Sequence, residues 1–325
     1  MYPVTRLMRY RQSQVMRKWV QENKISISDL IAPVFISELI AEPKPIQSLP
    51  GVSQQSLSSL VDYIGELVNR GITAVILFGI PAHKDSLGSA SYDSNGIVQQ
   101  AIRVIKQNYS ELVVIADCCL CEYTDHGHCG VIKSTTQFDL DATLANLAKI
   151  AVSYAESGVD IIAPSGMIDG KVLSIRKALD HAQFNHVMVM SYAVKFASAF
   201  YGPFRDAAGS GDVFHGNRRH HQLNPSQRLE SLREMQLDTD EGADFVIVKP
   251  ISHYLDIVRD IKETSQLPLI GYHVSGEYAM LKQASLSGII DEKNAVKELF
   301  LSMKRAGVSK IITYYANSIE RSFFE

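Results

Sequence analysis

Eight short runs of β-branched and apolar residues recur along the chain. They read LIAPVFI (30–36), TAVILF (73–78), LVVIAD (112–117), VDIIAPS (159–165), HVMVMSY (186–192), DFVIVKP (244–250), LPLIGYHV (267–274) and SKIITYY (309–315). The runs are continuous rather than alternating, as in parallel strands covered on both faces. Periodicity alone does not separate them from buried helix, but their length argues for strand. Amphipathic stretches with helical spacing lie between them, among them 56–71, 141–158 and 294–307, several closed by the glycine that a helix end prefers. Strands alternating with helices over this length predict an α/β fold, a (β/α)8 TIM barrel, with a doubly wound sheet as the alternative.

No composition break, repeat or low-complexity tract marks a second domain, so residues 26–325 read as a single barrel domain. Residues 1–25 read as an arm. The opening MYPVTRLMRYRQSQVMRKWV is basic and free of acids, which suits a segment gripping a neighbouring subunit better than a targeting or membrane-surface helix. The connection at 198–225, SAFYGPFRDAAGSGDVFHGNRRHHQLNP, is long, polar and glycine-rich and follows the fifth run. On a barrel it leaves the C-terminal face, where substrates bind, and is expected to be an active-site lid.

Composition adds exclusions. The 325 residues are 46% hydrophobic and 21% charged, with a formal net charge of -3. That gives no broad basic surface for nucleic acid. No stretch approaches the roughly 18 apolar residues of a membrane span, and the start lacks the core of a secretion signal. A cytoplasmic protein acting on small molecules is expected.

The chemistry concentrates in two places. All four cysteines lie within DCCLCEYTDHGHCG at 117–130, which rules out a dispersed disulfide framework and points to metal or thiol chemistry. Residues two apart on extended chain point the same way, so Cys119 and Cys121 can converge with Cys129 while Cys118 faces elsewhere. Three thiolates leave a fourth zinc position open for chemistry; a closed structural site with a fourth protein ligand fits the spacing equally well. The second place is a pair of lysines at strand ends, Lys195 in MSYAVKF and Lys249 in FVIVKP. If the two approach each other, each lowers the other's pKa and exposes the neutral amine that attacks carbonyls. Arg205, Arg218 and Arg219 on the lid suit a carboxylate, and the hydroxyls of Ser275 and Tyr314, at the late strand ends, suit a second.

These motifs together, with SLPGV, LFGIP and YHVSGEYAM, resemble the porphobilinogen synthase (5-aminolevulinate dehydratase) family over nearly the whole length. The resemblance implies a lyase of tetrapyrrole and heme biosynthesis that condenses two 5-aminolevulinate molecules, on a barrel assembled as a homo-octamer through N-terminal arms. It implies that Lys249 forms an imine with the first-bound substrate and Lys195 with the second. Cys119, Cys121 and Cys129 would hold a catalytic zinc. Arg205, Arg218 and Gln222 would engage the second substrate's carboxylate, and Ser275 and Tyr314 the first's. Asp117, Ser165 and Tyr201 would orient substrate or assist proton transfer, and Glu234 would hold a regulatory magnesium. His220 is a further candidate for touching the metal. The chain departs from the family pattern at Gly166 and Asn217, where the family has aspartate, at His221, often tyrosine, and at Ile251, usually a small residue. A divergent paralogue acting on another amino ketone or keto acid, or an inactive metal-binding homologue, is the alternative.

Overall fold

Each of the eight apolar runs forms a strand in the computed structural model, which describes residues 1–134, 137–209 and 219–324. The strands are β1 (Leu30–Ser37), β2 (Ala74–Ile80), β3 (Val113–Cys118), β4 (Ile161–Pro164), β5 (Met188–Lys195), β6 (Phe245–Lys249), β7 (Leu269–His273) and β8 (Lys310–Thr313). Each pairs in parallel with the next, and β8 returns to β1 through Leu30 opposite Ile311 and Ile31 opposite Ile312. The sheet is thereby closed into the expected (β/α)8 barrel, and every residue of β1 is buried. The run at 186–192 ends too early: β5 continues to Lys195, so this lysine is the strand's last residue.

The outer layer consists of α1 (Leu57–Arg70), α2 (Ile97–Asn108), α3 (Leu140–Glu156), α4 (Lys171–His181), α5 (Leu229–Asp240), α6 (Leu255–Thr264), α7 (Ser275–Leu286) and α8 (Glu292–Ala306). In α1 the Ser56 hydroxyl accepts from the Ser59 amide, and Leu60, Ile64 and Leu67 form the buried stripe. Burying these three contributes roughly 2 kcal/mol each. Gly71 ends the helix at φ 100°, a conformation that glycine adopts without a Cβ penalty.

Near the start a 3-10 turn (Leu7–Arg11) and a short helix (Gln14–Trp19) contain no buried residue, while Ile25 packs against the barrel core. Trp19 is 82% exposed and Met8 73%. Among the described residues no helix is long and apolar enough to cross a membrane. Within 198–225 the described residues are not featureless. A 3-10 turn (Ala199–Tyr201) leads into a helix (Gly202–Ala207). Phe204 on that helix packs on Phe35 and Phe78 at the barrel mouth, with ring centres 5.7 and 5.2 Å away. The Gln54 side chain donates to Ala207 O at 2.8 Å and Lys84 Nζ to Gly209 O at 2.9 Å, so neighbouring loops hold this half down. Residues 210–218, with Arg218 and Asn217, lie outside the described residues.

Candidate active site

Lys195 and Lys249 end adjacent parallel strands and are direct register partners. Both are buried in the barrel mouth and line one cavity with Asp117, Cys121, Glu122, Ser165, Tyr201 and Gln222, roofed by Phe78 and Phe204. Lys249 Nζ lies 3.9 Å from the ring centre of Tyr272, 5.1 Å from those of Tyr192 and Phe204, and 5.5 Å from that of Tyr201. Burial, then the charge of Lys195, lowers the Lys249 amine from 10.5 to about 7; Asp117, Cys121 and Glu122 act the other way. Neutral amine is therefore abundant near pH 7.

Lys195 does not mirror this, contrary to the mutual lowering that two close lysines lead one to expect. Burial lowers it, but the sulfurs of Cys129, Cys119 and Cys121 and the Asp117 carboxylate outweigh burial, and its pKa is raised. The two amines thus differ in their environments. Lys195 Nζ also donates to Ser165 Oγ at 3.4 Å. Asp117, at the end of β3, is pushed well above the carboxylate range by burial and by Glu122 and Cys119, with both lysines opposing. A carboxyl so placed retains its proton more readily and suits proton exchange with a neighbour.

The cysteines divide as strand geometry predicts. Cys118 faces outward into the core, its sulfur 3.7 Å from Leu147 O on α3. Cys119, Cys121 and Cys129 form a separate buried cluster whose sulfurs lie within 4.8 Å of one another, with Cys119 and Cys121 3.2 Å apart. All four cysteines are free thiols. Three converging sulfurs in a buried cleft fit a soft dication, which would exchange their protons for its own charge. Among the described residues two further groups have this reach: Asp117, Cys119 and Glu122, and the imidazoles of His128, His220 and His221. His126 is a loop shaper: its Nδ1 accepts from the His128 amide at 3.2 Å.

The remaining candidates are scattered more widely. Tyr201 packs beside Lys249 and donates its hydroxyl to Phe196 O at 2.7 Å. Gln222 reaches the cavity, and its buried Nε2 has no hydrogen-bond partner among the described residues. Arg205 is half-buried on the Gly202–Ala207 helix. Ser275 is buried, but its hydroxyl accepts from the Phe204 amide at 3.0 Å and donates to Phe200 O at 3.3 Å, tying α7 to the segment after β5. Tyr314 is buried at the end of β8, stacked on Phe35 at 6.3 Å. Glu234 lies apart on α5; burial first, opposed by Lys171 and assisted by Asp238, Asp169 and Glu230, raises its pKa. Gly166, where the chain departs from the family pattern, stands in a left-handed turn. Its φ is 91°, which side-chain-bearing residues rarely adopt, and a Cβ there would lie 3.2 Å from Ile168 Cδ1 and 3.5 Å from Cys129 Cβ.

Two groups escaped the sequence reading. Glu122, inside the cysteine motif itself, is buried and accepts from Cys121 Sγ at 3.1 Å. The rings of Tyr192 and Tyr272 surround Lys249 but read as ordinary strand residues. Adjacency to Cys121 was a usable signal for the first; none existed for the second.

The family profile described as Delta-aminolevulinic acid dehydratase matches residues 4–322. Delta-aminolevulinic acid dehydratase of Halalkalibacterium halodurans is 54% identical over 313 residues, covering 96% of this chain and 95% of that protein. The enzyme of the same name from Bacillus subtilis is 52% identical over 308 residues, covering 95% and 94%. Among solved structures, the delta-aminolevulinic acid dehydratase (porphobilinogen synthase) of Toxoplasma gondii in complex with the reaction product porphobilinogen superposes with a TM-score of 0.94 at 39% identity, covering 96% of this chain and 90% of that one. The chain belongs to the delta-aminolevulinic acid dehydratase family.

Proposed function

We propose that this protein is a porphobilinogen synthase, a lyase condensing two molecules of 5-aminolevulinate into porphobilinogen with release of two waters. The observation that carries the proposal is the register pairing of Lys195 and Lys249 inside one cavity, beside Asp117 and the three-sulfur cluster. Family names give the reaction, and the paired amines give it a physical basis. Neutral Lys249 attacks the ketone of the first substrate; loss of water leaves an imine, which acidifies the adjacent carbon. Lys195, whose amine must first give up its proton, holds the second substrate as an imine on the neighbouring strand, so that two encounters in solution become one contact between neighbours. Asp117, which lines the cavity with Ser165 and Tyr201, serves proton transfer and orientation with them.

Gln222 presents a buried amide donor to the second substrate's carboxylate, with Arg205 and Arg218 supplying charge. Ser275 and Tyr314 serve the first substrate's carboxylate, which requires Ser275 to exchange its bonds to Phe200 and Phe204 for the ligand. Cys119, Cys121 and Cys129 would hold zinc, which as a Lewis acid polarises an amine or carbonyl oxygen of the substrate. Glu234 would hold a regulatory magnesium among the acids of α5. The exposed apolar residues of 1–25 would pack on a second copy in a homo-octamer, and 198–225 would close over the bound substrates. The test is pyrrole formation from 5-aminolevulinate by the zinc-loaded protein, with other amino ketones and keto acids as competitors. Absence of pyrrole from 5-aminolevulinate rejects the proposal, and preference for a competitor transfers it to a divergent substrate.

A further inference from the structure

Lys171 opens α4 at 1% exposure, outside the cavity and in none of the roles above. A buried ammonium is costly unless its hydrogens have partners. Lys171 has three: Asp238 Oδ2 on α5 at 3.1 Å, Gly166 O at 3.0 Å and Tyr192 O at 3.3 Å. Asp238 Oδ2 accepts in turn from Ser191 Oγ at 2.5 Å. The network therefore grips two consecutive residues of β5.

Those residues lie where β5 changes step against β6. Phe245 faces Met190 and Val246 faces Ser191, but Val248 faces Val194 and Lys249 faces Lys195. Tyr192 and Ala193 thus stand opposite Ile247 alone, which is a bulge of one extra residue. In an unbroken strand, side chains three apart point to opposite faces. The extra residue restores the phase, and Lys195 Nζ lies 5.6 Å from the Tyr192 ring centre. Without the bulge, one residue of slip would turn Lys195 away from the cavity.

We infer that Lys171, with Asp238 and Ser191, pins the β5 bulge and is a positioning residue for Lys195. Its bond to Gly166 O also fixes the turn carrying Ser165, whose hydroxyl is 3.4 Å from Lys195 Nζ. Lys249 stands on β6, which meets the network only through the pairing of Val246 with Ser191 and through the Tyr192 ring 5.1 Å from its Nζ. The inference rests on the reading that Lys195 forms an imine with substrate.

The test compares full-length, zinc-loaded wild type with Lys171→Met and Ser191→Ala. Each is treated with 5-aminolevulinate and borohydride, and the reduced adducts at Lys195 and Lys249 are quantified by peptide mass mapping. In Lys171→Met the Lys195 adduct should form on the order of a hundredfold more slowly, the cost of misplacing a reacting group by about 1 Å, while the Lys249 adduct slows by about tenfold at most, the effect of one unit of pKa movement. A purely structural role would lower both adducts equally or neither, and either result overturns the inference. Ser191→Ala leaves the ion pair whole and carries the test if Lys171→Met does not fold: the adduct ratio should shift in the same direction, and an unchanged ratio overturns the inference. Wild type forming no adduct at either lysine would instead reject the underlying imine reading.

Discussion

Lys249 offers the sharpest quantitative prediction, because its two main perturbations are separable by mutation. Its drop from 10.5 to about 7 corresponds to roughly 5 kcal/mol against the ammonium form. The nearest ring face, at 3.9 Å, favours the ammonium by on the order of 2 kcal/mol and so acts against burial. With the amine at about 7, about half of it is neutral at pH 7, against roughly one part in three thousand for an unperturbed lysine. Lys195→Met removes the second cause and leaves burial, the larger one. Only the neutral amine attacks, so the rate of borohydride-trapped adduct at Lys249 should rise with pH and level off above the amine's pKa. In wild type the midpoint is expected near 7. In Lys195→Met it should move upward but stop short of 10.5, and one unit of movement would slow adduct formation at low pH about tenfold. A wild-type midpoint near 10, or a variant midpoint that is unmoved or lower, would refute the assignment of Lys195 as a cause.

Three further outcomes follow from the geometry. Cys119→Ala should lose bound zinc and turnover, whereas Cys118→Ala, whose sulfur faces α3, should keep both and lose about 1 kcal/mol of stability; metal analysis after dialysis distinguishes them. Gly166→Ala should lower the thermal midpoint, because a left-handed φ costs a Cβ-bearing residue about 1–2 kcal/mol, and an unchanged melt would contradict the backbone argument. Glu234→Ala should abolish any stimulation of activity by magnesium, measured by titrating the ion into zinc-loaded enzyme; retained stimulation would remove Glu234 from that role.

Much of the barrel was legible because strands covered on both faces must be apolar throughout. All eight runs became strands, and the helix at 56–71 showed its glycine end. The lysines at the ends of β5 and β6 were legible too, since a cation closing an apolar run has few places to go. What sequence parity hid was the bulge: Tyr192 and Lys195, three apart, read as facing opposite ways until the extra residue opposite Ile247 brings them into phase. Lys171 was invisible for a related reason. A lysine in an amphipathic segment reads as solvent-exposed, and its burial depends on Asp238, Gly166 and Tyr192 from three other parts of the chain. The opposed directions of the two amines also required the fold, because only in three dimensions do the sulfurs crowd Lys195.

The most direct measurement is the lysine adduct map of the zinc-loaded protein reduced with borohydride during turnover of 5-aminolevulinate. Adducts confined to Lys249 and Lys195 are the predicted result; pyrrole accumulating with both lysines unmodified, or label at a lysine outside the cavity, would contradict the account.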